Sequence, residues 1–105
     1  MRQLPISNGV DGDNDATEMI RFWLAHNEPH ISLLLGMYED ADKCEVDELY
    51  AWGNILGDIA QHIANGLEQS HGRDFTESAR QLVSHFTEAM AARAPGLEGG
   101  YPAGA

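Results

Sequence analysis

Asp58 and His62 stand four residues apart in a stretch whose apolar residues recur at helical spacing. One helical turn would bring the carboxylate beside the imidazole. Such a neighbour fixes the ring's tautomer and raises its basicity, as a general base requires. Asn65 follows on the polar flank, and Trp52 precedes the pair. His30 lies upstream, where it would meet His62 if the two segments packed together. A small-ligand or hydrolytic site would draw on these five residues. The same Asp58–His62 pair also reads as an ordinary i, i+4 contact at a helix edge, and no nucleophile stands beside it. No catalytic residue is assigned.

Five histidines, His26, His30, His62, His71 and His85, raise the question of a metal. Zinc sites show closely spaced ligand pairs, such as two cysteines separated by two residues or His-Glu-x-x-His on a helix. Neither pattern occurs. Asp11, Asp13 and Asp15 alternate as calcium ligands do, but Ala16 stands where the loop needs glycine and Phe22 where it needs glutamate. Gly53 and Gly57 fall inside a helical pattern with no Gly-Lys-Ser or Gly-Lys-Thr after them, so they build no phosphate loop. No Gly-x-Ser-x-Gly elbow is present. Neither a metal nor a cofactor is expected. The aromatics Trp23, Trp52 and Tyr38 fit a core or a dimer interface, or else the wall of a small apolar pocket.

The element that must carry Asp58 and His62 runs from about Asp42 to Gln69. Val46, Leu49, Trp52, Leu56, Ile59, Ile63 and Leu67 step by three or four and share one face. Gly53, Gly57, Ala60 and Ala64 make a second stripe of minimal side chains, and Asn54, Asp58, Gln61, Asn65 and Glu68 a polar one. Three helical glycines, Gly53, Gly57 and Gly66, each cost about 1 kcal/mol against alanine. Close packing along the small stripe would offset that cost. Asp42 with Glu45 has the form of a capping box. A second helix opens at Asp74, with Glu77 three residues on, and ends before Pro95. Its inner face would be Phe75, Ala79, Leu82, Val83, Phe86 and Met90.

Upstream, Glu18–Ala25 and His30–Tyr38 alternate and read as two strands. A turn at Asn27-Glu28 would set Leu24 opposite Ile31, Phe22 opposite Leu33 and Ile20 opposite Leu35, all on one side. That turn lacks the favoured Asn-Gly or Asp-Gly pair. Met19, Phe22, Trp23 and His26 also fit a helical step capped by Thr17, so a first helix stays open as the alternative. The other side of the ribbon would carry Trp23, Leu34 and Tyr38, a surface too apolar to leave in water and a candidate interface with a second copy.

The stretches RFWLAHNEPHISLLLGMYED and AWGNILGDIAQHIANGL resemble a family of small bacterial proteins, mainly alphaproteobacterial, that forms a domain of unknown function. Its members show a similar strand-like run with a histidine, then Ala-Trp-Gly opening a helix with Asp, His and Ala-Asn at like spacing. The resemblance covers roughly Glu18 to Leu67. The stretch ADKCEVDELY before Ala51 is longer than is usual there. The family implies no activity to carry over.

The totals limit the rest. At 105 residues there is room for one core. Residues 1–16 read as a flexible arm, 17–94 as a single α+β domain, and the Gly- and Pro-rich 95–105 as a disordered tail. Seventeen acidic residues against six basic ones give a net charge of −11. Such a chain repels phosphate, which argues against nucleic acid and against an anionic membrane surface. The lone Cys44, among acidic neighbours, makes no internal disulfide. With no signal-peptide core at the start, it points to the cytoplasm.

The expectation is an α+β fold of the order ββαα, a β-hairpin followed by two α-helices. It would dimerise through the sheet and act as a non-enzymatic interaction or regulatory module. A ligand-binding or hydrolytic protein around His62 and Asp58 is the alternative. A weaker option is an acidic partner for a basic protein.

Overall fold

A computed structural model of the chain describes residues 1–39 and 47–93. The elements are a 3-10 turn at Asn8–Val10, strands β1 (Ile20–Ala25) and β2 (Glu28–Leu33), and helices α1 (Glu48–His71) and α2 (Phe75–Arg93). The fold is therefore α+β, an antiparallel hairpin followed by two helices. The chain divides into two compact units, one ending at Leu35 and the other starting at Gly36.

In the hairpin unit, Ile20 lies opposite Leu33, Phe22 opposite Ile31 and Leu24 opposite Pro29. The strand reading of this segment holds, and the helix capped by Thr17 is not adopted. The turn falls at His26-Asn27, one residue earlier than the apolar alternation predicts. Both turn residues have positive φ, 54° and 61°. Two left-handed residues in a two-residue loop match the right-handed twist of the strands. Histidine and asparagine tolerate that region better than most residues. The pairing is shifted by two residues from the expected one, with Leu24 facing Pro29 rather than Ile31. A slip of two keeps every side chain on its own face, so facial patterning alone could not separate the two registers. The Leu34 N–H donates to the Met19 carbonyl at 3.0 Å, after which the ribbon ends. Leu35, Met37 and Tyr38 lie beyond β2.

The helical unit opens with Asp47, whose carboxylate accepts from the N–H groups of Leu49 and Tyr50 at 3.0 and 3.2 Å. Asp47 is thus the N-cap of α1, an acidic residue in the position that favours one. The Asp42–Glu45 box, Cys44 and Val46 lie outside the described residues, as do Pro95 and the tail. α1 stops at Gly72, which takes φ 66° and donates its N–H to the Glu68 carbonyl at 3.0 Å. This is a left-handed cap that a side chain would strain. Asp74 then caps α2 by accepting from the Glu77 N–H at 2.9 Å. Glu68 reaches across the turn to accept from the Phe75 N–H at 3.1 Å. The Glu77 carboxylate does not reach back as a capping box would; it binds Arg80 and Gln81.

The two helices, joined by a short turn, pack on each other. Ala64 is fully covered and Ser78 is buried, while Ala60, Leu67, Phe75, Ala79 and Leu82 are half-buried. Small residues thus mark the closest approach. The upper part of the small stripe behaves differently from expectation: a methyl group built on Gly53 or Gly57 would meet nothing within 4 Å. Among the described residues nothing is pressed onto their edge. Nor is the large apolar stripe enclosed. Leu49, Leu56, Ile59 and Ile63 of α1 and Val83, Phe86 and Met90 of α2 are exposed. Among the described residues the buried apolar side chains are Ala51 and Ala64. No helix among them is long and apolar enough to cross a membrane.

Candidate functional site

Asp58 and His62 sit one turn apart on α1, with side chains 70% and 76% exposed. The His62 Nδ1 lies 2.7 Å from the Asp58 backbone carbonyl and 3.5 Å from the carboxylate Oδ1. The nearer contact is with the carbonyl, to which Nδ1–H donates. The carboxylate oxygen is too far for a strong hydrogen bond. The helix backbone rather than the acid orients the imidazole, which places the pair among exposed i, i+4 contacts that screening weakens.

Trp52 and His62 are ten residues apart on the same helix, about 15 Å of axial rise. Asn65 is exposed, one turn beyond the histidine. Trp52 is half-buried, and its indole Nε1 is shut from solvent without a hydrogen-bond partner among the described residues. His30 belongs to the hairpin, where it pairs across the strands with Trp23 and sets its Nε2 3.2 Å from the Ala25 carbonyl. The helix joins Asp58 to His62 and leaves Trp52 and Asn65 at other levels. Of the three interface candidates, Trp23 lies on β1 and Leu34 just past β2. Tyr38 lies in the turn before α1.

A residue that spacing does not single out is Glu48. It is buried at the first position of α1, and its carboxylate accepts from the Gly36 N–H at 3.1 Å and the Tyr38 N–H at 3.2 Å. Gly36 takes φ 90°. The only signal in the sequence is the Asp47-Glu48 doublet at a helix start, where negative charge is favoured by the helix dipole. This constellation ties a turn to a helix end and offers no reacting group.

Open depressions lie on the hairpin unit, one lined by Glu18, Ile20, Arg21 and Ser32, another by Arg2, Leu4, Phe22 and Trp23. Arg21 holds Glu18 in a two-pronged ion pair at 2.7 and 2.8 Å. The hydrogen bond from Arg21 pulls the Glu18 carboxyl below its ordinary range. On α2, hydrogen bonds from Arg80 and then Gln81 hold the Glu77 carboxyl down at about 2. Among the described residues, no three His, Cys, Asp or Glu side chains converge as metal ligands.

Fold and surface together define a small ββαα module without an enclosed site among its described residues. The chain belongs to the family described as a domain of unknown function (DUF5076), whose sequence profile matches residues 3–94. The match reaches well past the Glu18–Leu67 stretch that carries the resemblance in the sequence. No curated protein matches the chain. A solved structure from the photosynthetic bacterium Rhodopseudomonas palustrus, described as a candidate pyruvate dehydrogenase, is similar at 24% identity with a TM-score of 0.60. The similarity covers 86% of this chain and 84% of that one. At that identity the likeness concerns the fold alone.

Proposed function

We propose that this chain is a small bacterial, cytoplasmic module that associates with itself and serves an interaction or regulatory role without catalysis. One observation carries the reading. A single copy leaves most of its large apolar side chains in water and encloses only Ala51 and Ala64 among the described ones. Lone exposed apolar residues are common, but helices and a hairpin that all keep apolar stripes exposed mark surfaces meant for a partner. A chain this small cannot readily offset the entropy of folding without burying such surface. The partner present wherever the chain is made is the chain itself. Asp58 and His62 are highly exposed, and the described residues give the ligand-binding alternative no walls to work with.

Sedimentation equilibrium across the micromolar range tests the reading. A dimer is expected throughout most of that range. A monomer persisting at high micromolar concentration would remove the proposal.

A further inference from the structure

The two units expose complementary layers. On the hairpin, Phe22, Leu24 and Ile31 share one face, Phe22 being paired across the strands with Ile31, and each is 54 to 75% exposed. On α1, Leu56, Ile59 and Ile63 step by three and four along one face and are 42 to 45% exposed. An apolar sheet face is covered either by a second sheet or by helices, and an apolar helix stripe likewise needs an opposing layer. We propose that the hairpin face of one copy lies on the α1 stripe of a second copy, and reciprocally. This forms a twofold dimer with two identical sheet-on-helix contacts. It rests on the self-association reading and names the surface that reading leaves open.

The area of two such contacts is enough for a stable dimer, whereas a hairpin-on-hairpin contact alone is not. For side chains of ordinary size, the three hairpin residues expose about 350 Å² and the three α1 residues about 230 Å². Two reciprocal contacts would bury about 1,200 Å² of apolar surface. A standard interface of about 1,600 Å² contains roughly 900–1,000 Å² of apolar surface. Two hairpin faces packed on each other would supply only about 700 Å², short of that amount. They would also leave the α1 stripe uncovered. A twofold axis makes the exchange closed, so growth stops at two copies.

The test uses the full chain and two charged variants, Leu24→Lys and Ile59→Asp. Both positions are exposed in one copy, so neither change removes a core side chain of the protomer. Each variant alone should weaken the dimer at least about thirtyfold in sedimentation, with its helical circular dichroism retained. An equimolar mixture should restore a heterodimer. One of its contacts is then wild type, and the other pairs the lysine with the aspartate. If the wild type is dimeric and Ile59→Asp leaves it so, the exchange is wrong while self-association stands. If both variants dissociate but their mixture stays monomeric, the exchange is wrong again. If the wild type is monomeric, with Leu24 protected from solvent labelling, the hairpin is covered by its own chain and both readings fail.

Discussion

Glu48 takes up the N–H groups of Gly36 and Tyr38 from a buried position, so its loss strands two backbone donors. Glu48→Ala should therefore cost about 1–3 kcal/mol, measured by urea unfolding. Glu48→Gln, which keeps one acceptor oxygen, should cost less. On the surface of α2, Arg80 Nε donates to Glu77 at 3.0 Å and helps hold that carboxyl at about 2, against an ordinary 4.5. A lowered folded value means that the interaction favours the native chain above about pH 4.5. Its contribution fades as pH falls from there toward 2. In Arg80→Met the Glu77 carboxyl, followed by NMR, should titrate closer to 4.5. Because the pair is exposed, added salt should move the wild type part of the way in the same direction. Neither Glu48 nor this ion pair comes near Asp58 and His62 in role. The residues with chemical side chains and the residues with structural work are different sets here.

At the scale of elements, the order of two strands and two helices is legible in the sequence because each period repeats over enough residues. The Asp74 cap is legible too, since an acidic residue directly precedes an apolar helical run. The hairpin register was not. Two pairings differing by two residues put Ile20, Phe22 and Leu24 on the same face, and the choice fell to the backbone of His26 and Asn27. Replacing them with the favoured pair, His26→Asn with Asn27→Gly, should relieve the left-handed strain and raise stability by up to about 1 kcal/mol. Thermal melting would read it. The helix face was half legible: periodicity shows that Gly53 and Gly57 share an edge with Ala60 and Ala64, but not how far α2 covers that edge. Since a methyl at Gly57 meets nothing within 4 Å, Gly57→Ala should stabilise the chain by about 1 kcal/mol through helix propensity alone. A lowered melting temperature would mean that a neighbouring backbone lies against the glycine. The candidate site suffered from the same gap, because spacing brings Asp58 to His62 but says nothing of whether a wall stands around them.

For the whole molecule, the question is whether apolar surface or charge governs association, and the two respond oppositely to salt. Each copy carries a formal charge of −11, so two copies repel one another at long range, and the proposed dimer has to overcome that by burying apolar side chains. Salt screens that repulsion over about 10 Å at 0.1 M. Raising ionic strength should therefore tighten the dimer, whereas an acidic chain held to a basic partner would let go. Concentration gives a second handle. A native state that requires two copies gains about 2.7 kcal/mol per dimer for each hundredfold rise in protein concentration. At this size that corresponds to a melting temperature higher by about 5–10 °C. Melting curves at 1 and 100 µM, each at low and high salt, would separate the cases. Melting temperature should climb with both variables if burial of the exposed stripes stabilises the fold. Independence from concentration would show that a single copy satisfies its own apolar faces.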